Sequence, residues 1–150
     1  MSSEIQHILS LLESTFEKNA WYGSSVKEVL KDISADQATN RIANTHSIIE
    51  LLGHMTAWRT FVIKKLEGDV NYKVTDDLNF PTPFTWETSL KALEESQAKL
   101  IEAIQNFDSS RLHNLVPHNS YKYSFYGLLH GIIHHDTYHI GQIVLIKKTR

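Results

Sequence analysis

Apolar residues recur at intervals of three and four along four long segments of the chain, which is the pattern of amphipathic α-helices. The four segments span approximately residues 4–20, 47–66, 85–106 and 124–148. A residue that can cap a helix stands at the start of each segment: Ser2 or Ser3, Ser47, Thr85 and Ser124. Ser47 and Glu50 also have the spacing of a capping box. The pattern therefore predicts four long helices, each with one apolar face.

The connections between these segments contain shorter predicted elements. Residues 25–31 have the spacing of a short helix, and Ser34 with Gln37 has the form of a capping box for one or two more turns. Residues 67–83 form a long link, and such a link either carries function or crosses from one end of a bundle to the other. Residues 112–123 favour a small hairpin that turns at Pro117-His118-Asn119.

Four amphipathic helices with minor elements in their connections favour an all-α fold, and a four-helix bundle is the economical architecture. The chain length of 150 residues is that of one domain, so residues 1–150 are predicted to form a single bundle domain. A chain of this length can bury roughly two-thirds of the surface that it exposes when unfolded. It can therefore build a sizeable core.

Composition narrows the classes of function. The formal net charge of −2 is spread along the chain without a basic stripe, so nucleic-acid binding is not expected. The sequence contains no cysteine, which excludes a disulfide, a thiolate ligand and a cysteine nucleophile. The N-terminus has no signal-peptide pattern, and no apolar run approaches the length of a membrane span. These features predict a soluble, cytoplasmic protein that does not enter a membrane.

Four of the nine histidines lie close together near the end of the chain: His130, His134, His135 and His139. They form two pairs with i, i+4 spacing, and such a pair can place two imidazoles within reach of one metal ion. At about 100° per residue, His135 and His139 fall in the middle of an apolar arc, and the other pair falls on the solvated side. The arc consists of Phe125, Leu128, Ile132, Ile143 and Ile146.

The inward pair of histidines has two explanations. Each imidazole can hydrogen-bond a neighbouring helix in the core, or the two can share a metal ion. Leaving them unpaired would cost about 1–3 kcal/mol for each buried group. The zinc-protease signature HExxH is not present because Asp136 follows His135. Asp136 lies about 100° round the helix from His135, so it is not expected to act as a general base.

A third ligand has to come from another helix, and His54 is the candidate. It lies at one edge of the apolar stripe of the second helix and is predicted to be at least half buried. Taken alone, it also fits a core-edge histidine bonded to a backbone carbonyl or to water. Three neutral imidazoles leave at least one coordination position open, which is the form of a catalytic metal site. Imidazole suits Zn, Ni, Fe and Cu, so the residues do not select the metal.

Two segments of the chain resemble motifs of the DinB superfamily of four-helix bundles. Residues 135–143, HDTYHIGQI, resemble the pattern H-x-x-x-H-x-G-Q-I of that family, and residues 47–58 resemble its second-helix histidine segment. The early Trp21, Gly23 and Ser25 resemble the loop after its first helix. The resemblance covers nearly the whole chain. It implies that His54, His135 and His139 are a metal triad for Zn or Ni. It also implies an up-down-down-up helix order, which would account for the long link at residues 67–83 as a crossover.

The resemblance also implies two classes of function. One is a metal-dependent enzyme, either an S-transferase that uses a low-molecular-weight thiol such as bacillithiol or a metal-dependent hydrolase. A metal ion with an open coordination position would lower the pKa of a thiol or water bound there and so make it a nucleophile. The other is a non-catalytic metal-binding or interaction bundle in which the metal is structural. A fourth protein ligand would favour the structural class, and His46 and His118 are the spare candidates.

Several neighbouring residues have an expected role. Gln142 lies close to the His135 face and is predicted to orient a ligand or to support a metal-bound imidazole, with an ordinary helix-surface role as the alternative. Tyr138 is expected to be a packing residue. Trp58 and Phe61 are expected in the core, although they can also wall a pocket. The resemblance further implies a homodimer.

Overall fold

The computed structural model describes residues 2–117 and 122–149. In these ranges the chain forms six α-helices and two 3₁₀ turns, and it forms no β-strand. The α-helices are α1 (Ser3–Phe16), α2 (Val26–Leu30), α3 (Ile48–Leu66), α4 (Asp76–Asn79), α5 (Trp86–Asn106) and α6 (Phe125–Lys148). The 3₁₀ turns are Gln37–Thr39 and Ser109–Arg111. The predicted all-α class is confirmed.

The caps read from the sequence explain where the long helices begin. Glu50 accepts a hydrogen bond from the Ser47 backbone N–H at 2.7 Å and closes the predicted capping box of α3. The side chains of Thr85 and Ser124 accept hydrogen bonds from backbone N–H groups at the starts of α5 and α6. Ser34 and Gln37 bond each other reciprocally, as predicted, at the start of the first 3₁₀ turn. The starts of the three longest helices therefore follow from local chemistry.

The first helix is shorter than predicted. It ends at Phe16 rather than near Ala20. Asn19 has φ of 65°, which is a left-handed conformation that an α-helix cannot include. The Ser25 hydroxyl then donates to the main-chain carbonyl of Glu17, at the end of α1. A contact made by the following loop therefore satisfies one of the carbonyls that the helix end leaves open.

The predicted hairpin is reduced to one bridge. Leu115 and Ser124 form an isolated antiparallel bridge, and the Val116 N–H donates to the Tyr123 carbonyl at 2.9 Å. No strand is assigned in the described part of this connection. His118 and Asn119 of the predicted turn lie outside the described residues. The described residues of this segment thus pair with the start of α6 through one bridge and form no strand.

The four long helices pack side by side around two hydrophobic clusters. α3 lies between α5 and α6, and α1 contacts both α5 and α6. The first cluster joins the N-terminal parts of α1 and α6 to the C-terminal parts of α3 and α5. The second joins Phe16 and α2 to the N-terminal parts of α3 and α5 and to the C-terminal part of α6. In the described ranges, no helix is long and apolar enough to cross a membrane.

The long link between α3 and α5 returns to the surface of α3. It contains the short helix α4, which packs against α3. A Cβ atom built on Gly53 would approach Pro81 Cγ to 3.1 Å, so the absence of a side chain at Gly53 permits this close contact. The link is therefore seated on α3 one residue before His54, which places it beside the candidate site.

Adjacent leucines in α1 test the assignment of its buried face. Leu12 is 0% exposed and Leu11 is 47% exposed. We expect Leu12→Ala to lower the free energy of unfolding by about 2–5 kcal/mol because it leaves a cavity in the core. Leu11→Ala, the matched control, should change it by less than about 1 kcal/mol. Urea denaturation followed by circular dichroism measures both. Equal losses would contradict the packing of α1.

Candidate metal centre

Three histidine side chains converge between α3 and α6. The Nε2 atom of His135 lies 3.0 Å from Nε2 of His54 and 3.1 Å from Nε2 of His139. The three possible ligand atoms all lie within 4.8 Å of one another. His54 comes from the middle of α3, and the i, i+4 pair on α6 supplies the other two. The structure therefore brings together the three residues that the sequence predicted as a triad.

The burial of the triad corrects the helical-wheel interpretation of α6. His54 and His139 are buried, at 8% and 5% exposure, but His135 is only half-buried. The true buried arc is wider than predicted because it also contains Leu129, Ile133 and Ile140. Its centre lies near Asp136, so His135 stands at the edge of the arc and not in its middle. This edge position gives the triad a side that is open to its surroundings.

The other histidine pair on α6 is only partly as predicted. His134 is exposed, in agreement with a solvated position. His130 is half-buried because its ring lies against Tyr126, with 4.4 Å between the ring centroids. Neither residue belongs to the convergent cluster among the described residues. The pair that the 100° spacing placed inward, His135 and His139, is therefore the pair that lies in the cluster.

Hydrogen bonds on the far side of two rings fix their tautomers. The main-chain carbonyl of Asn79 lies 2.8 Å from His54 Nδ1, and a carbonyl only accepts, so Nδ1 carries the hydrogen. The side-chain oxygen of Gln142 lies 2.6 Å from His139 Nδ1 and assigns the hydrogen in the same way. Both neutral rings therefore present a bare Nε2 lone pair to His135. Gln142 thus contacts the His139 imidazole, while its role in supporting a metal-bound ring stays a prediction.

The convergent nitrogens fit a cation better than they fit each other. Nε2 of His135 can carry at most one hydrogen, so it can satisfy only one of the two lone pairs that face it. Its Nδ1 atom also has no hydrogen-bond partner within the described residues. Three imidazole nitrogens held tetrahedrally by bonds of about 2.1 Å lie about 3.4 Å apart. The two separations from His135 Nε2, 3.0 and 3.1 Å, are slightly tighter, and all three atoms lie within 4.8 Å of one another. A divalent cation between them would accept all three lone pairs.

The electrostatic surroundings keep the triad neutral. Burial lowers the pKa of His135 to about 3, with further lowering by His139 and His54. Burial also lowers the pKa of His139 to about 4, against the hydrogen bond that its Nδ1–H donates to Gln142, which raises it. The pKa of His54 is likewise lowered, chiefly by burial. Near neutral pH the three rings are therefore uncharged, and each keeps one nitrogen lone pair, which is the form that binds a metal ion.

A sequence model of the DinB superfamily matches residues 23–143, and this range contains all three histidines. The chain belongs to the DinB superfamily. No curated protein and no solved structure matches the chain significantly. Membership agrees with the helical fold and with a histidine cluster that can hold a metal ion.

His46, one of the two spare ligands, does not join the triad of this DinB-superfamily chain. His46 is exposed, and its ring stacks on Phe80 at a centroid distance of 3.5 Å. His118 lies outside the described residues. Tyr138 was expected to pack but is 65% exposed, and its hydroxyl accepts a hydrogen bond from the Gln142 amide at 3.4 Å. In the described ranges, the candidate centre thus has three protein nitrogens and no fourth ligand.

A buried ion pair beside the triad was missed by the sequence interpretation. Arg59 and Asp136 are both 0% exposed, and a guanidinium Nη2–H donates to the Asp136 carboxylate at 2.6 Å. Arg59 also donates to the side-chain oxygen of Gln97 at 3.2 Å and to the Met55 carbonyl at 3.3 Å. Its position among the apolar residues of α3 was the available indication. A charged residue at the centre of an apolar face requires a partner.

Burial and pairing shift the pKa of each partner of this ion pair in opposite directions. Burial raises the pKa of Asp136 to about 6, while the Arg59 guanidinium lowers it. Burial lowers the pKa of Arg59, and Asp136 opposes that change. The 2.6 Å contact favours the charged pair, and near neutral pH the carboxylate is ionised. Asp136 is therefore committed to Arg59, which agrees with the expectation that it is not a general base.

An apolar cavity of about 370 Å³ adjoins His135. It is lined by Trp58, Phe61, Val62, Tyr123, Gly127, Leu128, Gly131, Ile132 and His135. Phe61 is buried in the first cluster and also faces this space, so both of its expected roles hold. His135 is the one imidazole that joins the triad to the cavity. A small apolar molecule in the cavity would therefore lie next to the candidate metal position.

The Arg59–Asp136 pair predicts a large and specific loss of stability. We expect Asp136→Asn to lower the free energy of unfolding by about 3–5 kcal/mol because it leaves the Arg59 charge buried without a partner. The double variant Arg59→Met with Asp136→Leu should recover most of this loss, since it removes both charges. Chemical denaturation of the metal-free protein measures each value.

A surface pair serves as the control for this measurement. Lys64 and Glu67 lie 3.0 Å apart with side chains 40% and 52% exposed. Glu67→Gln should therefore change the free energy of unfolding by less than about 1 kcal/mol. If Asp136→Asn costs no more than Glu67→Gln, the buried pair does not hold α3 to α6.

Proposed function

We propose that this chain is a metal-dependent S-transferase, which joins a low-molecular-weight thiol of the bacillithiol type to an apolar electrophile. The observation that carries the proposal is a cluster of three neutral imidazoles, one of which, His135, lines an apolar cavity. His54, His135 and His139 would hold a divalent metal, with Zn or Ni as the expected ion. Such a metal would lower the pKa of a thiol or water at its open position.

The residues of the chain supply binding and orientation. Asn79 and Gln142 hold the rings of His54 and His139 so that their Nε2 atoms point to the common centre. Trp58 and Phe61 wall the space that would receive the acceptor. In the reaction the thiol would lose its proton to solvent, and its sulfur would form a bond to the electrophilic carbon of the acceptor. The acceptor then releases a leaving group, or it takes up a proton if the reaction is an addition.

The choice of transferase over hydrolase follows from the missing general base. No carboxylate belongs to the cluster of possible ligands in the described ranges, and Asp136 is paired with Arg59. Hydrolysis by a metal-activated water is commonly assisted by such a base, whereas a thiolate is itself a strong nucleophile. A metal-dependent hydrolase remains the alternative reaction. A structural metal is the non-catalytic alternative, and three protein ligands beside a cavity favour an open site instead.

The helix order and the oligomer are part of the proposal. We propose the up-down-down-up order, which is supported by the two clusters, because each joins like ends of α3 and α5 to the opposite ends of α1 and α6. In this order parallel helices α3 and α5 need the crossover between them. The homodimer implied by the resemblance stays a prediction, which size-exclusion chromatography with light scattering would test.

Metal binding is the first test of the function. We expect untagged protein to contain near-stoichiometric Zn or Ni by elemental analysis, and His54→Ala and His135→Ala to lose it. His134→Ala is the matched control because His134 is exposed on the same helix. Free metal at about a hundred times its Kd should stabilise the wild type by about 2.7 kcal/mol. A wild type that neither holds added metal nor gains in melting temperature would exclude the metal site.

The acceptor cavity is tested at Gly131. Gly131 lines the cavity, and a Cβ atom there would meet nothing within 4 Å, so the first carbon of a side chain fits without displacing its neighbours. We expect Gly131→Leu to lower kcat/KM for transfer of bacillithiol to chlorodinitrobenzene by at least about tenfold, while metal content stays unchanged. Gly131→Ala should retain activity and stabilise the helix by up to about 1 kcal/mol. Unchanged turnover by the Leu variant would show that the acceptor binds elsewhere.

A further inference from the structure

Asn79 accepts hydrogen bonds from two side chains on one face of α3. Its main-chain carbonyl lies 2.8 Å from Nδ1 of His54. Its side-chain oxygen accepts the indole N–H of Trp58 at 3.0 Å. His54 and Trp58 are four residues apart, so they are neighbours along the helix surface. One residue of the link between α3 and α5 therefore contacts both a candidate ligand and a wall of the acceptor cavity.

The residues that follow Asn79 fix the same segment. Phe80 stacks on the His54 ring at a centroid distance of 4.3 Å and an interplanar angle of 12°. The exposed ring of His46 covers the other side of Phe80. Pro81 sits against Gly53, where only a glycine allows the approach without displacement. The main-chain carbonyl of Asn79 is thus placed by contacts on both sides of it.

We propose that Asn79 and Trp58 are positioning residues that set the tautomer and the direction of His54. The metal-ligand role of His54 rests on the proposed function, whereas its tautomer does not. The carbonyl of Asn79 requires a hydrogen on Nδ1, which leaves the lone pair on Nε2 for the centre. The Trp58 indole holds the Asn79 side chain and through it the carbonyl. Without this contact the segment can move and His54 can exchange between tautomers.

Trp58 therefore connects the acceptor cavity to the candidate metal ligand His54. Trp58 walls the acceptor cavity and holds the residue that orients a ligand. Loss of an outer partner of a metal-bound histidine typically weakens metal binding by 10–100-fold. We therefore expect Trp58→Phe, which removes only the N–H donor and some ring area, to weaken metal binding although Trp58 is not a ligand.

The tautomer of His54 is the direct test. Long-range ¹H–¹⁵N NMR spectra of the metal-free protein at about pH 8, where histidines are neutral, should show a hydrogen on Nδ1 of His54 in the wild type. Trp58→Phe and Asn79→Ala should shift His54 toward a mixture of tautomers. Asn79→Asp keeps an oxygen that accepts the indole N–H, so it should retain the wild-type tautomer. The double variant Trp58→Phe with Asn79→Ala should shift the His54 tautomer no further than the single variant with the larger shift, because both substitutions act through one contact.

A second tryptophan provides the matched control. The Trp86 indole N–H donates to the Ile33 carbonyl at 3.0 Å, so Trp86→Phe removes a similar hydrogen bond outside the site. It should lower stability and leave the His54 tautomer and the metal Kd unchanged. Metal affinity measured by competition with a chelator should fall 10–100-fold in Trp58→Phe and Asn79→Ala only.

The possible outcomes distinguish failure of the positioning role from failure of the metal-dependent function. A wild-type tautomer in both Trp58→Phe and Asn79→Ala, with an unchanged metal Kd, would overturn the positioning role. An equal loss of affinity in Trp86→Phe would also overturn it, because the effect would then be one of general stability. A shifted tautomer in a protein whose wild type binds no metal would refute the metal-dependent function and support the positioning role.

Discussion

The buried pair of Arg59 and Asp136 is the constraint on which the site depends. Taking two charges out of water costs several kcal/mol for each ion, and only close pairing with good geometry offsets that cost. Arg59 lies five residues after His54, and Asp136 is next to His135. A shift of α3 along α6 that separated the imidazoles would therefore also leave a buried charge without its partner. The pair makes one register of the two helices much more favourable than its neighbours.

The triad itself works against the stability of the bundle. Its rings are largely buried and neutral, and the lone pairs of His54 and His139 both face one nitrogen of His135. A hydrophobic core of this size has no need for three such rings at one point, and apolar residues would pack there with less conflict. Local conflicts of this kind are expected where function is selected over stability. The cluster is therefore better explained by a ligand than by folding.

Sequence periodicity identified the elements that depend on short-range chemistry. The starts of α3, α5 and α6 follow from caps, and the triad follows from spacing and from the resemblance. The sequence did not predict the ion pair because each partner looked like an isolated charge on its own helix. Only the packing of the two helices brings Arg59 to Asp136. The sequence also did not predict the contact between Asn79 and His54, because a main-chain carbonyl is present in every residue and leaves no pattern in the sequence. The early end of α1 depends on the left-handed Asn19, which periodicity does not register.

The long link between α3 and α5 does more than cover the distance between them. A parallel pair of helices would need a connection of this kind, but its sequence would then be free to vary in most positions. Here Asn79 accepts from two donors of α3, Phe80 stacks on His54, and Pro81 requires Gly53 beneath it. These contacts leave His46 stacked on Phe80, outside the triad. The segment that contacts the candidate ligand His54 thus also holds the ring of the spare candidate His46, which supports the proposal of a metal centre that is open toward the cavity.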